Sequence, residues 1–173
     1  MSIEKCIKER RSIRHFKHKP VDMELVRELL ITATYAPSWK NGQCWEFVIV
    51  QDPEIAHKIQ AAVPEGNPSY AGILEAPMNL IVIGNPEQSG DLGGKQYYMA
   101  DAAMATYAFM LAAEKHGLGS VWVGWFDESL VAKAINLPVG KRILGILPFG
   151  YPNEEGTFKG RKALDEILQL DKY

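Results

Sequence analysis

Basic residues are concentrated near the amino terminus, in the sequence K-E-R-R-S-I-R-H-F that begins at position 8. The apolar residue Ile13 indicates that this segment is anchored in a core. If the segment is extended, Arg10, Ser12 and Arg14 face one side while Arg11 and Ile13 face the other. Two guanidinium groups that flank a hydroxyl can bind a phosphate, because arginine offers a planar pair of donors to anionic oxygens.

A second group of cations lies near the carboxyl end, in the sequence F-K-G-R-K. Lys159 and Arg161 flank Gly160 and repeat the same alternation. Taken alone, each basic cluster is more often a solvated surface patch, and charge alone leaves that alternative open. Together the two clusters favour an anion-binding site.

A polar loop is predicted in the sequence Y-A-P-S-W-K-N-G-Q-C-W-E-F. A proline stops the preceding helix, and hydrogen-bonding side chains then alternate with aromatic ones. Amides can bind the edge of a planar heterocycle and aromatic rings can cover its faces. The alternative is an ordinary turn before a strand, since Asn-Gly is itself a strong turn signal. The residues concerned are Pro37, Ser38, Trp39, Asn41, Gln43 and Trp45.

Several common catalytic signatures are absent from the sequence. Gly117, Gly119 and Gly124 follow a helix and precede a strand, which is the reverse of a dinucleotide-binding fingerprint. No serine-containing nucleophile elbow occurs. The close pair His15 and His18 has no cysteine or carboxylate at metal-ligand spacing, so we predict no metal.

Composition indicates one globular domain over residues 1–173, with 47% hydrophobic and 23% charged residues. The net charge of −2 does not favour nucleic-acid binding. Cys6 and Cys44 fit neither a disulfide framework nor a zinc site, so we interpret them as free thiols in a reducing compartment. The amino terminus lacks the apolar region of a signal peptide, and the longest apolar run is too short to span a membrane. We therefore expect a cytoplasmic protein.

Alternating helix and strand patterns predict helices on both faces of one sheet. Segments 64–72 and 89–95 are expected to be mobile surface loops, and the tail at 161–173 carries a short apolar repeat. Helices are predicted at residues 2–10, between Asp22 and Pro37, and at 53–62, 95–116 and 127–136; strands are predicted at 45–50, 78–83, 120–126 and 143–149.

The predicted helix at 95–116 is apolar on nearly all sides, with alanines around it and larger residues such as Met99, Met104 and Phe109 between them. A helix of this composition is normally buried all round. A 173-residue domain has difficulty surrounding it, so we expect a homodimer that packs on this helix. The alternative is the central helix of a monomer.

In combination, these motifs resemble the FMN-dependent nitroreductase family. The matching pieces are R-x-S-x-R-x-F, A-P-S-x-x-N-x-Q-x-W-x-F, G-L-G-S-V-W-V-G and a late K-x-R after G-Y-P, in matching order over about residues 3–165. The resemblance implies an α+β fold with three α/β/α layers and a central mixed, mainly antiparallel sheet. It also implies an intertwined homodimer with two FMN sites at the subunit interface.

The resemblance assigns roles to residues of this sequence. Arg10 and Ser12 would hold the phosphate and ribityl groups, and Arg14 would face the pyrimidine edge of the flavin. The loop at 37–43 would reach the flavin of the other subunit, and the backbone near Gly124 would meet the flavin N5. The implied FMN-binding residues are Arg10, Arg11, Ser12, Arg14, Pro37, Ser38, Trp39, Asn41, Gln43, Trp122, Val123, Gly124, Lys159 and Arg161.

The implied activity is a ping-pong transfer of hydride from NADH or NADPH, through FMN, to a nitroaromatic, a quinone or a similar small oxidant. Arg14 would stabilise the negative charge of reduced flavin, and no side-chain nucleophile is expected. Cys44 stands where the family commonly has proline, and we interpret it as a small buried residue rather than a redox centre.

Three alternatives remain open at this stage. Dehalogenation or flavin fragmentation could occur on the same fold, with residues 64–95 as the candidate lid. The protein could be an FMN-binding sensor without turnover. A domain without flavin could use the arginines for another anion.

Overall fold

The protein is built on a central sheet with helices on both faces, and the computed structural model describes residues 1–172. Its strands are β1 (Trp45–Val50), β2 (Met78–Gly84), β3 (Asp91–Leu92), β4 (Lys95–Gln96), β5 (Gly119–Ser120) and β6 (Arg142–Gly150). The central sheet has the order β1-β2-β6-β5 with antiparallel neighbours, and β3 and β4 form a separate hairpin. A parallel bridge between Ser12 and Ser120 extends the edge at β5. The sheet is therefore mixed and mainly antiparallel, which confirms the predicted α+β fold class.

Local sequence signals set the helix ends. The helices are α1 (Ile3–Glu9), α2 (Met23–Ala33), α3 (Pro53–Ala61), α4 (Gly72–Glu75), α5 (Tyr97–Lys115) and α6 (Glu128–Ala134). Three aspartates, Asp22, Asp52 and Asp127, each accept a backbone N–H from two residues further on, and so cap the helix that follows. Gly117 follows α5 with φ +73°, a left-handed conformation that ends many helices.

Side-chain alternation along β2 creates two cores. Leu80 and Val82 pack with side chains of α2 and α5 on one face. Ile81 and Ile83 pack with side chains of α3 and α6 on the other face. Because successive residues of a strand point to opposite faces, a wholly apolar strand is buried on both sides. This confirms the predicted α/β/α layers.

The prediction of a strand over residues 120–126 was wrong. Only Gly119–Ser120 forms a strand, followed by one bridge between Val123 and Ile146. In continuous register Val121 would lie opposite Pro148, whose nitrogen has no hydrogen to donate, so the ladder is interrupted there.

Several predicted boundaries also differ. The helix predicted from residue 95 begins at Tyr97, because Lys95–Gln96 pair with Asp91–Leu92 in a hairpin. Helix α2 ends at Ala33, before Pro37, where the Thr34 hydroxyl donates to the Ile31 carbonyl (2.7 Å).

The segment 64–72 is not a surface loop throughout, since Asn67 and Ser69 are buried. In the tail, Leu164–Glu166 form one 3₁₀ turn, and Leu164, Ile167 and Leu168 are all exposed. Tyr173, the last residue of that predicted repeat segment, lies outside the described residues.

Helix α5 is not buried on all sides within one chain. Ala102, Ala105 and Phe109 are fully buried, whereas Met99 and Tyr107 are 50% and 43% exposed. Part of the apolar surface of α5, from which we predicted a partner subunit, is therefore exposed on the single chain. Within residues 1–172, none of the helices combines the length and apolar character needed to traverse a bilayer.

Candidate functional site

A cationic cavity of about 430 Å³ lies where the two basic clusters meet. We use the name cationic cavity for the space lined by Arg10, Arg11, Ser12, Arg14, Pro68, Thr157, Phe158, Lys159 and Arg161. The fold thus brings together both clusters, although they lie near opposite ends of the sequence. Such a concentration of guanidinium and ammonium groups suits a phosphate or another multivalent anion.

The amino-terminal wall of the cavity is fixed by contacts with the sheet edge. The Ile13 N–H donates to the Ser120 carbonyl (3.1 Å), and the Ile13 side chain is buried. Gly119 permits this approach, because a Cβ there would lie 2.5 Å from the Ile13 side chain. The Glu154 carboxylate accepts the backbone N–H of Arg14 and that of His15. The backbone that carries the arginines is therefore held on both sides.

Arg11 does not face away from the cavity, and the prediction that it would was wrong. Its Nη1 donates to the Lys8 carbonyl (2.6 Å), and its guanidinium lies 4.7 Å from the centre of the Phe158 ring. The Arg161 guanidinium lies 5.2 Å from the same ring. A long side chain can reach round its own backbone, and cation–π attraction to Phe158 draws both arginines to the cavity.

Two buried donors of the cavity lack partners. Arg10 Nη1 and Arg14 Nε are buried, and no atom of residues 1–172 accepts a hydrogen bond from either. A buried donor left unsatisfied costs about 1–3 kcal/mol. An anion in the cavity would supply acceptors, so the residues present fit a phosphate-bearing ligand.

One carboxylate lies in the field of these cations. Burial raises the pKa of the Glu114 carboxyl, while the charges of Arg10 and Arg11 act in the opposite direction. Burial is the larger effect, so the charged form of Glu114 is disfavoured in the folded protein.

The polar loop, defined as residues 38–43, has an unusual backbone. Lys40, Asn41 and Gln43 have φ values of 47°, 57° and 47°. The Ser38 hydroxyl accepts the Gln43 N–H (3.0 Å), and the Gln43 amide donates to the Asn41 side-chain oxygen (3.3 Å). The amides of Asn41 and Gln43 are exposed and oriented toward each other. The loop therefore has a defined conformation that its own side chains close.

The Trp39 side chain packs against other residues of the same chain. Its ring stacks on Tyr97 with a centroid distance of 4.3 Å and lies against Gly90, where a Cβ would be 2.5 Å from the indole. Tyr97 therefore covers one face of the ring within the chain, and the expectation that Trp39 covers a ligand face stays a prediction.

The polar loop and the cationic cavity lie near opposite ends of α5. Asp101, near the start of α5, binds the Trp39 N–H, whereas Glu114, near its end, lies in the field of Arg10. Thirteen residues of helix separate these two positions by about 20 Å. No residue from 37 to 43 lines the cavity, so one chain does not bring the two predicted parts of the site together.

The third predicted part of the site also lies outside the cavity lining. The Val123 N–H donates to the Ile146 carbonyl (2.9 Å). The Trp122 ring lies on Gly145, where a Cβ would be 2.7 Å from the indole. Gly124 is exposed at the end of this segment. Backbone groups near Gly124 are thus accessible from outside the chain.

Sequence reasoning missed several residues that shape the cavity, among them Phe158 and Glu154. Phe158 adjoins the second basic cluster, and its position beside Lys159 was a usable signal. Glu154 had no signal, because its role depends on a contact with Arg14, 140 positions away. Among the described residues, no three histidine, cysteine, aspartate or glutamate side chains group so as to hold a metal ion.

The layers and the cavity define an α+β protein with a cationic cavity beside a mixed sheet. The chain belongs to the nitroreductase family, whose profile matches residues 7–151. The resemblance inferred from the motifs is thereby confirmed, and the family supports an oxidoreductase.

Proteins of similar sequence align with most of the chain. A Methanothermobacter thermautotrophicus protein, provisionally assigned as an NADH dehydrogenase/NAD(P)H nitroreductase, is 30% identical over 179 residues, covering 100% of this chain and 88% of the relative. The 5,6-dimethylbenzimidazole synthase of Rhodospirillum rubrum is 33% identical over 168 residues, covering 84% and 80%. The iodotyrosine deiodinase of Haliscomenobacter hydrossis is 29% identical over 189 residues, covering 95% and 85%.

Solved structures share the fold. A nitroreductase family protein from Clostridium novyi NT superposes with a TM-score of 0.85 at 30% identity, covering 100% of this chain and 96% of that one. A protein from Desulfovibrio desulfuricans, solved in complex with FMN, has a TM-score of 0.87 at 24% identity, covering 100% and 98%.

Proposed function

We propose that the protein is an FMN-dependent oxidoreductase that takes electrons from NADH or NADPH and reduces nitroaromatics, quinones or similar small oxidants by a ping-pong mechanism. The observation that carries the proposal is the cationic cavity, whose Arg10 Nη1 and Arg14 Nε are buried with no hydrogen-bond partner among residues 1–172. Membership of the nitroreductase family and a relative solved with FMN support the choice of ligand.

The residues of the cavity have separate tasks in this proposal. Arg10, Lys159 and Arg161 bind the phosphate of FMN, and Ser12 binds the ribityl chain. When bound, FMN supplies a ring that accepts a hydride from a nicotinamide and passes it to a second substrate. Arg14, held by Glu154 through its backbone, places a positive charge where negative charge develops during reduction.

A homodimer completes the site in this proposal. The polar loop and the cationic cavity lie near opposite ends of α5, and Met99, Met104 and Tyr107 expose an apolar surface on that helix. If two copies pack through α5 about a two-fold axis perpendicular to that helix, the helices run antiparallel and the loop of one copy approaches the cavity of the other. Analytical ultracentrifugation tests this arrangement, and a monomer that binds FMN tightly would contradict it.

An absorbance spectrum of the purified protein tests the proposed function most directly. We expect flavin bands that bleach when NADH or NADPH is added without oxygen and return when a quinone or nitroaromatic is added. Flavin bands that neither nucleotide bleaches would replace the reductase with an FMN-binding sensor. A colourless protein that takes up no added FMN would overturn the flavin assignment and leave the arginines for another anion.

A second candidate function is specialised chemistry at the same site. The relatives named 5,6-dimethylbenzimidazole synthase and iodotyrosine deiodinase favour it, and Pro68, from the segment considered as a lid, lines the cavity. Anaerobic incubation of the reduced protein with a halotyrosine distinguishes dehalogenation by halide release. Loss of the flavin spectrum under oxygen, with 5,6-dimethylbenzimidazole as product, would instead indicate flavin fragmentation.

A further inference from the structure

Asp101 is a charged side chain buried beneath the polar loop. Only 2% of its surface is exposed. Its Oδ1 accepts the Trp39 N–H (3.0 Å), and its Oδ2 accepts the Ser89 hydroxyl (2.9 Å) and faces the Cys44 thiol at 3.6 Å. Within residues 1–172 no cation pairs with this carboxylate. Burial of a charge without a counterion is unfavourable, so these hydrogen bonds offset the cost of burying the Asp101 carboxylate.

The loop above Asp101 has a conformation that does not persist unaided. Lys40 and Gln43 have positive φ, which costs about 1–3 kcal/mol for each such residue, whereas Asn41 adopts the same conformation at lower cost. Such a backbone is populated only when surrounding contacts determine it. The bond from the Trp39 N–H to Asp101 fixes the start of the strained segment, and the Ser38–Gln43 bond closes it.

The strained loop orients two exposed amides. Asn41 and Gln43 both lie at the surface, and their side chains are hydrogen-bonded to each other at 3.3 Å. Neither amide is needed for packing, because both point out of the fold. The conformation is therefore suited to present amide donors and acceptors to a ligand outside this chain.

We propose that Asp101 is a positioning residue that holds the polar loop in the shape in which Asn41 and Gln43 meet the flavin. This inference rests on the proposed function, because it names the flavin as the ligand of the loop. Asp101 does not touch the ligand and acts only through the loop backbone and through Ser89.

FMN affinity in a double-mutant cycle tests the ligand part of the inference. Asp101→Asn keeps the shape of the side chain, but its single oxygen replaces the two acceptors that bind the Trp39 N–H and the Ser89 hydroxyl, and loss of the charge weakens the bond that remains. We expect the dissociation constant for FMN to rise about tenfold or more in Asp101→Asn and in Asn41→Ala. The double variant should bind FMN no more weakly than the weaker of the two single variants. In Asp101→Asn the Asn41 side chain has already lost its fixed position, so its removal should cost no further affinity. Additive effects would mean that Asp101 does not act through Asn41.

Thr106→Val is the matched control. Thr106 is fully buried on the same helix as Asp101, and its hydroxyl donates to the Ala102 carbonyl (2.7 Å) of that helix. It should lower the melting temperature while leaving FMN affinity unchanged. A fall in affinity equal to that of Asp101→Asn would assign the effect to general destabilisation and overturn the inference.

Trypsin cleavage after Lys40 in FMN-free protein tests the anchoring part. Lys40 is exposed in the strained segment, so release of the loop should speed cleavage there about tenfold or more in Asp101→Asn, but not in Thr106→Val. If Asp101→Asn fails to fold, Ser89→Ala removes one donor and should give a smaller change in the same direction. Unchanged cleavage would overturn the anchoring.

The two tests separate failure of this inference from failure of the proposed function. Wild-type protein that binds no FMN would overturn the proposed function and the ligand part together, while cleavage after Lys40 would still decide whether Asp101 anchors the loop. If the wild-type protein binds FMN, the effects of Asp101→Asn and Asn41→Ala on FMN affinity are additive, and cleavage after Lys40 is unchanged, then only the role of Asp101 is overturned.

Discussion

Replacement of Arg10 by methionine should weaken FMN binding without destabilising the free protein. Arg10 Nη1 is buried and has no acceptor among the described residues, so free protein bears an unsatisfied donor that costs about 1–3 kcal/mol. Methionine keeps an unbranched stem of similar length and removes that donor. The free energy of unfolding of FMN-free protein should therefore stay constant or rise by about 1 kcal/mol.

The bound state should lose a charge-assisted hydrogen bond. Such bonds contribute about 1.5–3 kcal/mol, which corresponds to a dissociation constant for FMN raised roughly 10- to 150-fold. Riboflavin lacks the phosphate, so its affinity should not change in Arg10→Met. Arg14→Met, by contrast, should weaken FMN and riboflavin by the same factor, since Arg14 is assigned to the ring.

The assay is a fluorescence titration of each variant with FMN and with riboflavin, accompanied by urea unfolding of the FMN-free protein. Arg27→Met is the matched control, because Arg27 lies on the exposed face of α2, where it pairs with Glu24. Equal losses for FMN and riboflavin in Arg10→Met would refute the phosphate contact. A loss of several kcal/mol in the free protein would show that Arg10 is structural.

Three further predictions concern stability and reactivity. Burial raises the pKa of Glu114, so the folded state disfavours its charge. Glu114→Gln should therefore raise the free energy of unfolding at pH 7, and this gain should vanish below about pH 4, where the carboxyl is protonated in both states. Urea unfolding measured across this pH range tests the prediction. Burial and the adjacent carboxylate raise the pKa of Cys44 to about 11, and Cys6 is also buried, so a thiol reagent at pH 8 should label both only after denaturation; rapid labelling of the native protein would contradict this. Gly119→Ala should lower the free energy of unfolding by about 1–3 kcal/mol through overpacking, whereas Gly66→Ala, with open space around it, should change it little.

Local patterns were sufficient for the elements of the fold. The strand at 45–50 and the cap at Asp22 agree with the structure, because propensity, capping and side-chain periodicity depend on neighbours in the sequence. The same patterns failed at residues 120–126. The strand ends there because of Pro148, and nothing near residue 121 reveals which residue will lie opposite.

The sequence by itself determined the chemistry available: a cluster of basic residues near each end, a polar loop between them, and an apolar helix predicted over 95–116. Only the tertiary structure decided how these parts are arranged. In the tertiary structure Arg11 lies against Phe158 at the cavity, and the Trp39 ring stacks on Tyr97 of the same chain. Asp101 lies beneath the loop and accepts the backbone N–H of Trp39. The reason is that these contacts join residues tens to more than a hundred positions apart, where side-chain packing and burial, not local periodicity, set the outcome.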